Sequence, residues 1–160
     1  MPIPSDPAEA FDVASTLMDL FGQAHDQIRD VVTGLDDVGL NWAPTAGANS
    51  IATIITHAIG SEAETIRSVV GIDHQRDRDA EFSRSWQTRA AVTGVLDEAD
   101  LLVATLGPRI DGHRLATHVS LPTLPPEEER SGLTWLMRNY GHLREHVGQI
   151  QLTGQLYRVV

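Results

Sequence analysis

Apolar residues recur at three- and four-residue steps in four separate blocks of the chain, divided by polar stretches that carry Gly and Pro. The first block opens behind Asp6-Pro7, a capping residue followed by a proline at the first helical turn. It carries Phe11, Leu17, Phe21, Ala24, Ile28, Val31 and Leu35 on one stripe and stops near Gly34. The next stretch, LDDVGLNWAPTAGANS, holds Gly, Pro and Asn too densely for a helix. It ends on Ser50, an N-cap for a second helix that runs to about Val70 with Ile51, Ile55, Ala58, Ile59, Ile66 and Val69 on its packing stripe. The segment GIDHQRDRDAEFSRSW is polar and aperiodic. Periodicity resumes in TRAAVTGVLDEADLLVATL, the third helix, which stops at Gly107-Pro108. After an irregular, proline-rich stretch, Ser131 caps a fourth helix with Leu133, Leu136, Tyr140, Leu143, Val147 and Ile150 in register.

These elements predict an all-α fold, a single four-helix bundle spanning residues 1–160. Antiparallel neighbours in a bundle need only about 2 to 8 linking residues, and the link after the second helix is far longer. A connection of that length can run back along the whole bundle, so the second and third helices are expected to be parallel. The order is then up-down-down-up with long crossover connections.

Composition narrows the function. With 12 basic residues against 22 acidic ones the formal charge is −10, which opposes a phosphate backbone and an anionic membrane surface. We expect no nucleic-acid partner and no membrane. All the basic residues are Arg, as in proteins encoded by GC-rich genomes. Cysteine is absent, which removes disulfides, thiolate metal sites and a cysteine nucleophile, so a metal here must use nitrogen or oxygen. No basic n-region precedes an apolar run, and the expected location is cytoplasmic.

Seven histidines remain as candidate chemistry, and His142 and His146 in YGHLREHVGQI stand one helical turn apart. Chance alone gives about 0.3 such pairs in a chain of this composition, so the spacing needs support from placement. Both lie beside the packing stripe of the fourth helix, on a face with Trp135 and Gln149. His57 lies off the stripe of the second helix, with Ser61, Glu64 and Ser68. Taken singly, His57 reads as a solvated imidazole and Glu64 as a solvated helix carboxylate. Other metal grammars fail: HLREH is not H-E-x-x-H, and no acid precedes a histidine by three as a di-iron bundle requires. A G-x-S-x-G elbow and a Gly-rich phosphate loop are also missing.

LNWAPTAGANSIATIITHAIGSE together with HLREHVGQI resembles the DinB / YfiT-like superfamily of four-helix metal proteins, a resemblance that spans the whole helix layout. In that family one histidine early in the second helix and an H-x-x-x-H pair in the fourth jointly bind a divalent metal. The resemblance therefore implies metal ligands His57, His142 and His146. A basic residue often follows the last ligand in the family, and this chain has Val147 there. Family members also resemble homodimers, and better understood branches resemble thiol transferases or isomerases that use mycothiol, bacillithiol or glutathione.

Three imidazoles leave at least one coordination position for water or substrate, which suits catalysis better than stapling. Zinc or nickel are the first expectations for the ion, with iron, manganese or copper behind them. Three functions stay open. In the first, a metal-dependent S-transferase activates a low-molecular-weight thiol of the mycothiol or bacillithiol type against an electrophile, with Gln149 or Glu145 orienting a ligand. The second is a metal-dependent hydrolase with Glu64 as base. The third is a non-enzymatic, metal-binding homodimeric bundle, in which Trp42 and Trp86 would anchor an interface; the favoured reading of the two tryptophans is that they cover the bundle ends.

Overall fold

A computed structural model of the protein describes residues 6–83 and 86–159. The sequence signals in residues 1–5, and Arg84 and Ser85 of the second connection, lie outside the described residues. The fold is mostly helical, with four long helices at the predicted positions: α1 (Pro7–Thr33), α3 (Ile51–Val70), α5 (Arg89–Leu106) and α7 (Gly132–Tyr157).

Each long helix starts where its capping residue directs. Asp6 Oδ1 accepts from the Ala8 N–H at 2.8 Å, Ser50 Oγ from Thr53 at 3.3 Å, Thr88 Oγ1 from Ala91 at 3.2 Å, and Ser131 Oγ from Thr134 at 3.3 Å. The end of α3 is set by Gly71 at φ 74°, in the left-handed region that a side chain disfavours.

α1 and α3 each pack against both α5 and α7. The predicted stripes of α3 and α7 fill the core: Ile51, Ile55, Ala58, Ile66, Leu136, Leu143 and Ile150 are fully buried, joined by Phe21 and Ile28 from α1 and Leu96 from α5. Two expectations need correction. Phe11 is 59% exposed, and the first turns of α1 instead bury Ala10 and Ala14, which lie four and three residues before Ala14 and Leu17 on the true stripe. The links also hold regular structure: α2 (Asp37–Asn41), α4 (Arg78–Ser83), α6 (Gly112–Ala116) and a two-residue hairpin pairing His118–Val119 with Arg130–Ser131. An Asp begins each short helix, its carboxylate accepting a backbone N–H: Asp36 from Gly39, Asp77 from Ala80, and Asp111 from Arg114. Helices this short carry no apolar period to read.

Of the two connecting tryptophans, Trp42 packs on Tyr157 with ring centroids 5.8 Å apart and covers one end of the helices, while Trp86 is 60% exposed. Among the described residues no helix is long and apolar enough to cross a membrane.

Candidate metal centre

α3 is packed on several sides, so the face that carries His57 is covered rather than solvated. His57 is only 7% exposed, and α7 presents His142 and His146 to it. The three residues each offer a nitrogen, and these nitrogens lie within 4.8 Å of one another. His142 Nε2 and His146 Nε2 are 3.0 Å apart. Two nitrogens about 2.1 Å from one ion are separated by about 3.0 Å at a right angle and about 3.4 Å at the tetrahedral angle, so this pair already has the spacing of two ligands.

The outer nitrogens decide which atoms face inward. His57 Nδ1 stands 3.1 Å from Glu81 Oε2 and donates to it, leaving the Nε2 lone pair free. His146 Nδ1 donates in the same way to Gln149 Oε1 at 2.8 Å. These two imidazoles are thereby held in one tautomer by a neighbour's oxygen, the arrangement that orients ligating histidines, whereas His142 Nδ1 is buried without a partner among the described residues. Gln149 thus makes a hydrogen bond to His146, one of the three imidazoles. Glu145 is exposed and makes no hydrogen bond to the three imidazoles.

Arg76 fixes the His57 side of the centre. Its guanidinium donates to Glu81 Oε1 and Oε2 at 2.7 Å each, to Glu64 Oε2 at 2.8 Å, and to the His57 carbonyl at 3.2 Å. Gly60, one turn beyond His57, makes room for this: a Cβ there would collide with the Glu81 carboxylate. Glu64 is therefore not a solvated carboxylate. It is 2% exposed, and besides Arg76 it accepts from the Thr123 N–H at 2.9 Å and the Thr123 hydroxyl at 2.7 Å. Phe82 of α4 stacks on His57 with centroids 4.6 Å apart.

Burial above all, then the mutual repulsion of the histidines and the nearby Arg76 and Arg78, lowers His142 to about 4. His57 is lowered as well, chiefly by burial, with the Glu81 hydrogen bond pulling the other way but not far enough. At neutral pH both are neutral imidazoles, the form a metal requires. The chemistry of the donor set therefore fits a divalent ion.

The centre opens on a cleft of about 410 Å³ whose lining includes His57, His142, Glu64, Trp135, Arg138 and Asn139. A larger groove of about 590 Å³ lies between α1 and α5, away from the histidines, and carries none of this chemistry. Elsewhere, His25 is fully buried, with Nε2 2.9 Å from Glu62 Oε2 and Nδ1 2.6 Å from Asp100 Oδ1. That cluster did not emerge from sequence, because its members are spread over three helices.

A mostly helical chain whose second and fourth long helices bring together three imidazoles able to hold a metal ion defines a recognisable class. The chain belongs to the DinB superfamily, whose family profile matches residues 20–150. Among solved structures, the fold is similar to a DinB-like protein from Bacillus cereus ATCC 10987, with a TM-score of 0.68 at 13% identity over 88% of this chain and 90% of that one. No curated protein matches the chain.

Proposed function

We propose that the protein is a cytoplasmic, metal-dependent S-transferase that joins a low-molecular-weight thiol, of the mycothiol or bacillithiol type, to an electrophile, with His57, His142 and His146 as ligands to zinc or nickel. The observation that carries this reading is that Glu64 and Glu81, the carboxylates that line or touch the three-histidine centre, are already engaged. Glu64, the carboxylate that lines the cleft, is taken up by Arg76 and Thr123, and Glu81 by Arg76 and His57. Neither carboxylate is therefore free to serve as the general base that the hydrolase reading assigns to Glu64, whereas thiol transfer calls for no such base. A divalent ion in the centre supplies Lewis acidity that lowers the pKa of a coordinated thiol.

The protein's own part is positional. Glu81 holds His57 and Gln149 holds His146 in the ligating tautomer, and Phe82 and Trp135 wall the site. The thiol releases its proton to water, the sulfur–carbon bond forms, and the leaving group departs with the electron pair of the bond that breaks. Neighbouring residues along the long helices support the up-down-down-up order: Met18 beside Gly107 and Arg29 on Asp97 oppose α1 to α5. Val69 beside Gly132 and Ile51 beside Gly154 oppose α3 to α7.

Zinc- or nickel-loaded protein incubated with mycothiol or bacillithiol and monobromobimane should consume the thiol faster than buffer does, and His142→Ala should abolish the excess rate. A loaded wild-type protein that matches buffer with every thiol would contradict the proposal.

A further inference from the structure

Beyond the histidines, the cleft has a charge the rest of the chain does not prepare for. The protein carries a net −10, yet its cleft is lined by three arginines. Arg76 is neutralised by Glu64 and Glu81. Arg78 and Arg138 are exposed and have no acidic partner among the described residues, and each lies instead over an aromatic face. The Arg78 guanidinium carbon lies 5.5 Å from the Phe82 ring centre, and Phe82 itself stacks on His57. The Arg138 guanidinium carbon lies 5.9 Å from the ring centre of Trp135, whose indole N–H is anchored on the Val119 carbonyl at 2.8 Å. Stacking fixes a guanidinium while leaving its N–H donors unspent.

A second observation points into the same space. Asn139 is 6% exposed, and its Oδ1 is buried without a partner while Nδ2 meets Ser61 Oγ at 3.0 Å. Because the Ser61 hydroxyl can donate or accept, the amide can offer the cleft either a carbonyl or an NH₂. An orphaned polar atom this deeply buried costs stability unless something meets it. Arg138 and Asn139 precede His142 by four and three residues, which places them on the same side of α7 and roughly 6 Å of helix rise from the imidazole.

We infer that the cleft takes a carboxylate-bearing ligand, its carboxylate held by Arg78 and Arg138 beside the Asn139 amide while its reactive end reaches the three histidines. The identity of that reactive end as a thiol rests on the proposed function; the carboxylate preference does not. Arg78 and Arg138 are on this account the residues that set specificity for an acid over its neutral counterpart.

Titration calorimetry with four probes separates the two claims: N-acetylcysteine, N-acetylserine and the primary amide of each, offered to zinc-loaded and to metal-free protein. Both acids should bind about tenfold more tightly than their amides in either form of the protein, the gain of charge-assisted hydrogen bonds. In Arg78→Gln and Arg138→Gln that preference should fall to about twofold or less, with helix content and zinc stoichiometry unchanged. Equal affinity for acid and amide, a preference that survives the Arg78→Gln/Arg138→Gln double variant, or no binding of any probe would overturn the inference. Acids that win while cysteine binds no better than serine would support it and count against the thiol reading instead.

Discussion

At the scale of single residues, the most buried polar side chain among the described residues, His25, is not part of the candidate centre. Burial opposes a charge on His25, but Glu62 and Asp100 outweigh it and raise its pKa. Removing the imidazole strands the Glu62 carboxylate, which is 1% exposed. Breaking a buried pair this way typically costs ~3–5 kcal/mol, whereas an apolar pair in its place is often neutral. His25→Leu should therefore destabilise strongly in urea titrations, and adding Glu62→Leu should recover most of the loss. Additive effects of the two substitutions would show that the pair is not coupled.

The two classes of histidine also give opposite pH dependences. His142 takes up a proton near 6.5 when unfolded but only near 4 when folded, so between these values the unfolded state binds more protons. Its contribution falls as pH drops through that window. His25, with its folded pKa raised, contributes fully below 6.5 and loses that contribution as pH climbs through the folded value. Stability of the metal-free protein measured from pH 7 to 4.5 should fall less steeply in His142→Gln than in wild type; equal slopes would show that His142 does not titrate as its surroundings imply.

At the scale of elements, the second connection does more than join helices. It carries α4 over α3, so that Glu81 reaches the outer nitrogen of His57 and Arg76 ties Glu81 to Glu64. This works only because Gly60 leaves the space empty. Gly60→Ala should displace Glu81 and lower zinc affinity about 10- to 100-fold, the usual effect of losing an outer partner of a metal ligand, without touching a ligating atom. Glu81→Gln should weaken binding less, because its amide oxygen can still accept from His57. Unchanged affinity in Gly60→Ala would mean that α4 plays no part in holding the imidazole.

The same connection shows what the sequence could and could not convey. His142 and His146 announce themselves by helical spacing, and resemblance adds His57. Arg76 and Glu81 lie in a polar, aperiodic stretch where no pattern says which side chain turns inward. The short helices had a signal that periodicity misses, namely Asp36, Asp77 and Asp111 as caps. Phe11 shows the converse error: hydrophobicity suggests the core, yet Ala10 and Ala14 occupy the inward positions because the stripe is fixed by Leu17 and Phe21. Glu64 looks solvated on a helical wheel of α3 alone; Thr123, brought over by the hairpin-closed loop, covers it.

At the scale of the whole molecule, the helices keep their core apart from the centre. The buried stripes of α3 and α7 consist of aliphatic residues, and the three histidines stand beside them, His57 and His142 lining the cleft. The fold should accordingly persist without metal, unlike small domains in which binding free energy is folding free energy. The most direct test is elemental analysis of untagged protein after loading, beside His57→Ala, His142→Ala and His146→Ala, with helix content followed by circular dichroism. About one equivalent of divalent metal in the wild type, lost in each variant while helicity is kept, is the predicted result. Wild-type protein that takes up no metal under any loading condition, or variants that bind as well as it does, would contradict the account at its centre.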